Sequence, residues 1–70
     1  MKTISQMYIE GIKNGRALLK LTNDISPQDL IAFKENANAR LKAAKQPEMK
    51  EFYKGESDFW ANEIKNLTQQ

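Results

Sequence analysis

The sequence predicts an all-α protein, either a small bundle of three helices or a helical hairpin with an angled third helix. Apolar residues recur at spacings of three and four in three segments, about 3–21, 26–44 and 47–67, the periodicity of helices that bury one face. Proline and capping residues separate these segments, and the short connections favour antiparallel neighbours. The chain has 70 residues, the length of one domain, so we expect residues 1–70 to form a single small helical domain.

The first predicted helix combines an apolar face with two glycines. Its apolar positions are Ile4, Met7, Tyr8, Ile12, Leu18 and Leu19. Gly11 and Gly15 lie on or beside this face, and each costs about 1 kcal/mol relative to alanine in a helix. Two glycines one turn apart let another backbone approach closely, within the chain or between two copies of it. The alternative is that they kink or fray the helix, and of the two we expect close helix packing.

The second helix has the clearest start in the chain. A predicted turn at 22–25 precedes Ser26, a favoured N-cap residue, and Pro27 suits the first helical position. The carboxylate of Asp29 complements the free amides of the first turn. The inward positions are Leu30, Phe33, Ala37, Leu41 and Ala44, with Ile31 on the flank. A narrow face suited to contact with another helix comes from Ala37, Ala43 and Ala44.

The third helix is predicted to begin at Pro47, with Glu48 and Glu51 favouring that start and Gly55 as its weak point. It holds four of the six aromatic residues, arranged as two adjacent pairs seven positions apart. Its apolar residues are Met49, Phe52, Tyr53, Phe59, Trp60, Ile64 and Leu67.

The aromatic pairs form two heptad-spaced lines on this helix. Phe52 and Phe59 form one line, and Tyr53, Trp60 and Leu67 form the other. Adjacent helix positions point about 100° apart, so the two lines cover more arc than one facing helix reaches. Either both lines are buried because the other helices straddle the third, or one line is partly open and anchors a partner or a homodimer.

The absence of histidine and cysteine excludes disulfides and metal sites built on imidazole or thiolate. No calcium-loop spacing, phosphate-binding glycine loop or nucleophile with a recognisable base is present, so we expect no catalytic residue, metal or cofactor. Glu56 lies between Tyr53 and Trp60, where the pattern predicts an apolar residue. It is either a buried acid with a perturbed pKa or an edge residue that pairs with lysine.

The net charge of +2 is spread unevenly, with residues 1–45 carrying a net +4 and residues 46–70 a net −2. Lys13, Arg16 and Lys20 lie at three- and four-residue spacings on the first helix. The second helix ends in the basic residues Arg40, Lys42 and Lys45. The three residues of the first helix suit the steering of an acidic partner, and the basic residues of both helices suit contact with nucleic-acid phosphates. The alternative is a solvated face with cations that offset helix dipoles.

Residues 8–16 and 55–60 resemble, in sequence style, small accessory proteins encoded in the early, non-essential regions of lambdoid temperate bacteriophages. The resemblance carries no motif of known chemistry, and no functional residue is transferred from it. It implies a small helical protein made inside a bacterium that binds and redirects a host protein. No apolar run reaches the ~20 residues of a membrane span, and the expected compartment is the cytoplasm, of the bacterial host if the protein is phage-encoded.

The sequence therefore predicts a non-enzymatic protein–protein interaction module that docks on a host protein, alone or as a homo-oligomer. The alternative is a small nucleic-acid-binding regulator that uses the basic side of the first two helices. The predicted partner-binding residues are Phe52, Tyr53, Phe59 and Trp60, with Lys13, Arg16 and Lys20 as steering residues. No membrane partner is expected.

Overall fold

The computed structural model describes residues 3–22 and 24–68, and it confirms an all-α fold. Helix α1 spans Ile4–Leu21, α2 spans Pro27–Ala43 and α3 spans Pro47–Thr68. Each observed boundary lies within one residue of the predicted one. Asn23 of the predicted turn lies outside the described residues, as do residues 1, 2, 69 and 70 of the predicted domain.

Two helices begin with reciprocal capping boxes. At α2 the Asp29 amide donates to the Ser26 hydroxyl at 3.2 Å, and the Ser26 amide donates to the Asp29 carboxylate at 3.1 Å. The Ser26 cap was predicted from the sequence. At α1 the Gln6 amide donates to the Thr3 hydroxyl at 3.1 Å, and the Gln6 side chain accepts from the Thr3 amide at 2.7 Å. Each box satisfies amides that a helix start leaves without partners.

Helix α3 lies between the other two helices. It packs against both α1 and α2, whereas no Cα pair between the described parts of α1 and α2 comes within 8 Å. The expected antiparallel arrangement holds for α2 and α3, where Asn38 contacts Ser57 and Phe33 contacts Trp60. The main packing partner of α1 is α3 rather than its sequence neighbour. The resulting body measures 38 × 21 × 20 Å.

Helices α1 and α3 cross through two glycines in close backbone contact. A Cβ added to Gly11 would overlap the carbonyl oxygen of Phe52 and lie 3.0 Å from the amide nitrogen of Glu56. A Cβ added to Gly55 would overlap the carbonyl oxygen of Tyr8. Gly55 is therefore a contact residue of the crossing, which corrects its interpretation as a weak point of the helix. The glycine hydrogens that replace Cβ face these oxygens, the arrangement of Cα–H···O contacts between helices.

The two aromatic lines of α3 face different helices. A Cβ added to Gly15 would lie 2.7 Å from the ring of Phe59, so this ring covers Gly15 on α1. On the other side Trp60 stacks on Phe33 of α2, with ring centroids 4.8 Å apart and an interplanar angle of 20°. The straddling arrangement therefore holds at Phe59 and Trp60, where α3 buries side chains in two directions, whereas Leu67 of the second line is 42% exposed.

The core is small and centres on these contacts. Leu30, Ala37, Phe59 and Trp60 are its buried apolar residues. Partly buried side chains pack around them, namely Ile12, Leu18, Leu19, Ile25, Phe33 and Ile64. A core of this size leaves little stability in reserve, so single losses of packing have large effects.

We predict that Gly55→Ala lowers the free energy of unfolding by about 2 kcal/mol or more, even though alanine gains about 1 kcal/mol in helix propensity. The reason is that the added methyl meets a main-chain carbonyl of α1, which moves only if the whole helix moves. Urea denaturation followed by far-ultraviolet circular dichroism measures the change.

Gly15→Ala is the matched comparison, because its methyl meets the ring of Phe59 rather than a main-chain carbonyl. We expect a smaller loss there. A Gly55→Ala protein as stable as the original would contradict the close crossing.

Candidate binding cleft and groove beside the third helix

One face of α3 lies between α1 and α2. Met49, Tyr53, Glu56 and Trp60 follow one another at spacings of four, three and four, so they share one face of the helix. Because α1 and α2 flank α3 without approaching each other, this face forms the floor of two adjoining depressions. Arg40 of α2 borders both of them.

The first depression, called here the polar cleft, has a volume of about 340 Å³ and lies between α1 and α2. Its floor consists of Glu56 and Trp60. Its walls are Asn14, Leu18, Phe33, Asn36, Ala37 and Arg40. The cleft therefore combines apolar walls with two amides and two opposite charges, the composition typical of small binding sites.

Glu56 is the buried acid of the two sequence-based alternatives. Its side chain is only 6% exposed, and burial raises its pKa because the charged carboxylate loses solvation. A hydrogen bond from the Asn14 side chain and the positive charge of Arg40 act in the opposite direction. The residue is buried because α1 and α2 both contribute side chains above this turn of α3.

Trp60 and Phe59 are core residues rather than exposed anchors. Trp60 is 1% exposed, lies against Phe33, and meets Phe59 edge to face at 5.0 Å between centroids. The prediction that these two rings are exposed anchors for a partner is therefore corrected, since α1 and α2 cover them and Trp60 borders solvent-accessible space only as a lining residue of the polar cleft. Phe52 and Tyr53 are half-buried and pack edge to face at 5.3 Å, so a partner role for them stays a prediction.

The second depression, called here the apolar groove, lies where α2 ends and α3 begins. It has a volume of about 420 Å³. Its lining residues are Arg40, Ala43, Ala44, Lys45, Gln46, Met49 and Tyr53. The two alanines leave space against α3 that larger side chains would fill.

Arg40 and Lys45 are the charged residues among those that line the groove, and both are exposed. From the sequence these two residues belong to a basic surface suited to nucleic-acid contact, and an apolar groove beside them was not predicted. A sequence signal for this groove does exist: Ala43 and Ala44 lie between Arg40 and Lys45, directly before the break between α2 and α3.

The basic residues of α1 do not join this surface. Lys13, Arg16 and Lys20 are exposed, as a steering role requires. Arg16 lines a separate depression of about 330 Å³ that also contains Asp58 and Glu63, so acidic side chains partly offset its charge. Their role in steering stays a prediction.

In that same depression the Tyr8 hydroxyl donates to the Asp58 carboxylate at 2.6 Å. This hydrogen bond is the main cause that raises the pKa of Tyr8. On the opposite side of α3 the Ser57 hydroxyl donates to the Asn38 side-chain oxygen at 2.5 Å. Each polar contact joins α3 to one flanking helix and helps to fix its rotation.

Within residues 3–22 and 24–68, no cluster of three or more acidic side chains is suited to hold a metal ion. No helix in the described part of the chain is long and apolar enough to cross a membrane. No protein family, curated protein or solved structure matches the chain. The candidate site therefore rests on its own geometry.

We predict that Trp60→Ala costs about 3–5 kcal/mol of stability, because it removes the most buried large side chain and leaves a cavity against Phe33. In so small a domain this loss approaches the whole free energy of unfolding. Circular dichroism in a urea series measures it. Leu67→Ala on the same helix is the control, because Leu67 is 42% exposed and should change stability much less. Equal effects of the two substitutions would contradict a core role for Trp60.

We predict a pH-dependent stability difference between the protein and Glu56→Gln. Because the folded-state pKa of Glu56 is raised above its ordinary value of 4.5, the folded chain retains a proton that the unfolded chain has released. This contribution to stability is present below pH 4.5 and is lost as the pH rises through the raised pKa. The variant should therefore gain stability relative to the original over that window.

Urea midpoints measured between pH 4 and pH 8 test this prediction. Glu63→Gln controls for the loss of one negative charge on the same helix, since Glu63 does not line the polar cleft. A difference that stays constant with pH would contradict the burial of an ionisable Glu56 carboxyl group.

Proposed function

We propose that the chain is a non-enzymatic docking protein whose apolar groove binds an amphipathic segment of a partner protein that carries acidic side chains. The observation that supports this proposal is the accessible apolar surface of Ala43, Ala44 and Met49, bordered by Arg40 and Lys45. Apolar contact supplies affinity in such a groove, and the bordering charges supply orientation.

The shape of the groove favours a helical or extended segment over a globular surface. Alanine side chains at 43 and 44 let a docked backbone approach α2 closely, and Tyr53 offers a half-buried ring on the opposite wall. An amphipathic helix that lays its apolar face into such a groove is a common mode of recognition. The segment would lie between α2 and α3 as an additional packed element.

The charge of the surroundings favours an acidic partner segment. Arg40 and Lys45 border the groove, and residues 1–45 carry a net charge of +4. Exposed cations around an apolar contact raise the association rate for an acidic partner and disfavour a basic one. Lys13, Arg16 and Lys20 on α1 add to this field at longer range.

The resemblance to phage accessory proteins supports a host protein in the bacterial cytoplasm as the partner. A second copy of the chain is the other occupant that the groove admits, which corresponds to the homo-oligomer predicted from the sequence. Nucleic acid is the less favoured partner, because Arg16, the middle member of the basic row on α1, lies beside acidic side chains of α3. Phosphate contacts would make binding fall steeply with salt, whereas apolar docking would respond weakly.

We predict that Ala43→Glu abolishes partner capture and that Ala32→Glu preserves it. Both alanines are exposed on α2, and 11 residues separate them, about 16 Å along the helix. Glutamate at 43 places a negative charge and a longer side chain in the groove, so it should weaken binding at least about tenfold. The immobilised chain and its two variants are exposed to a bacterial lysate, and the bound proteins are compared quantitatively by mass spectrometry.

Capture of the same protein by all three chains would contradict the groove as the docking site. Light scattering of the original chain and each variant over a concentration series tests whether a second copy of the chain occupies the groove instead. Self-association that is lost in Ala43→Glu and kept in Ala32→Glu would assign the groove to a second copy. Capture that disappears between 50 and 200 mM salt, as for nucleic acid with ~6–10 phosphate contacts, would favour the alternative partner.

A further inference from the structure

The polar cleft holds a buried carboxyl group. Glu56 is 6% exposed, its hydrogen-bond donor Asn14 is neutral, and Arg40 acts on it from the exposed edge of the cleft. A carboxylate removed from water regains stability only through close, well-oriented donors. A cation entering the cleft would add a charged donor to the two partners that Glu56 already has, Asn14 and Arg40.

The walls of the cleft suit a cation on an aliphatic stem. Leu18 and Phe33 provide apolar surface for methylene groups, and Asn14 and Asn36 add side-chain amides, each with an oxygen acceptor, to the lining of the cleft. A planar guanidinium group has five N–H donors, which match one carboxylate and additional amide oxygens better than a point charge does. The volume of about 340 Å³ lies in the range of small-ligand sites.

We propose that the polar cleft receives the guanidinium group of an arginine side chain from the partner segment that docks in the apolar groove. The two depressions share Arg40 and lie on one stripe of α3, so one segment can reach both. The inference rests on the proposed function for the source of the arginine, whereas the recognition of guanidinium by the cleft is testable without the partner.

Binding of the partner's arginine would also change the interactions of Arg40. An incoming guanidinium takes over the carboxylate of Glu56, and Arg40 then turns to the acidic side chains of the docked segment. The partner segment therefore carries a basic residue opposite Glu56 and acidic residues opposite Arg40 and Lys45. This pattern excludes segments of a single charge sign.

The test uses the full chain and L-argininamide as the probe, with L-citrullinamide, in which a neutral urea group replaces the guanidinium group, as the control of similar size. Trp60 is the only tryptophan and lies at the cleft floor, so its emission reports occupancy together with NMR shifts of the Asn14 and Asn36 side-chain amides. We expect L-argininamide to bind with a Kd of about 1 mM, as befits a small fragment, and L-citrullinamide to bind much more weakly.

Two variants give opposite expected results. Glu56→Gln should weaken L-argininamide binding at least about tenfold, because the counter-charge is lost while the side-chain shape is kept. Glu63→Gln, outside the cleft, should leave the affinity unchanged. Arg40→Gln should tighten binding about two- to fivefold, because it removes a cation that competes for the same carboxylate. A gain of affinity on removal of Arg40 is not expected from loss of structure.

Binding should also weaken as the pH falls through the raised pKa of Glu56, since the protonated carboxyl group no longer attracts a cation. Arg40 of α2 is the other ionisable residue that lines the cleft, and α1 contributes the neutral Asn14 and Leu18.

Equal binding of the two probes, or unchanged binding in Glu56→Gln, would overturn the proposal. Self-association lost in Glu56→Gln would also overturn it, by assigning the cleft to a basic side chain of a second copy. If L-argininamide binds as expected but Ala43→Glu still captures the partner, the proposal for the polar cleft stands and the proposal for the apolar groove fails. The two proposals can therefore fail separately.

Discussion

The close crossing of α1 and α3 at Gly11 and Gly55 is the contact on which the rest of the structure depends. The two backbones meet with no side chain between them, so α1 lies nearer to α3 than ordinary helix packing allows. This proximity places the Phe59 ring over Gly15 and directs the other aromatic line of α3 towards α2. Together with the Phe33–Trp60 contact it sets the helix order around α3, and with it the depressions between α1 and α2.

The burial of Glu56 is a consequence of this arrangement rather than of local sequence preference. Its position on α3 lies one turn after Tyr53 and one turn before Trp60, between the arcs that face the two flanking helices. Because α1 and α2 flank α3 with no Cα pair of theirs within 8 Å, side chains of both helices enclose this position while it still lines a depression. The order of the helices therefore creates the polar cleft. Asn14 and Arg40 act on its acidic group by lowering the pKa of Glu56 against the effect of burial.

Much of the fold was predictable from the sequence, and most of the candidate site was not. Periodicity and the Ser26–Pro27 start determine where helices lie because these are local signals, and the boundaries agreed within one residue. Gly55 was misjudged because a helical glycine that breaks and one that admits a neighbouring backbone look identical in one sequence. Phe59 and Trp60 were assigned to a partner because helical spacing shows how far their directions diverge but not which helices lie there. Arg40 and Lys45 border the apolar groove only because the end of α2 packs beside the start of α3, which the sequence does not show.

Trp60 connects the stability of this chain to the state of its cleft. The same ring that stacks on Phe33 in the core also forms the cleft floor beside Glu56, so a group bound in the cleft rests on the core itself. Whatever binds the folded chain and not the unfolded one adds to its stability by mass action. A ligand that also neutralises the desolvated Glu56 would remove an unfavourable charge from the folded state. In a domain with so few buried side chains, occupancy of the cleft and order in the core are therefore expected to rise together.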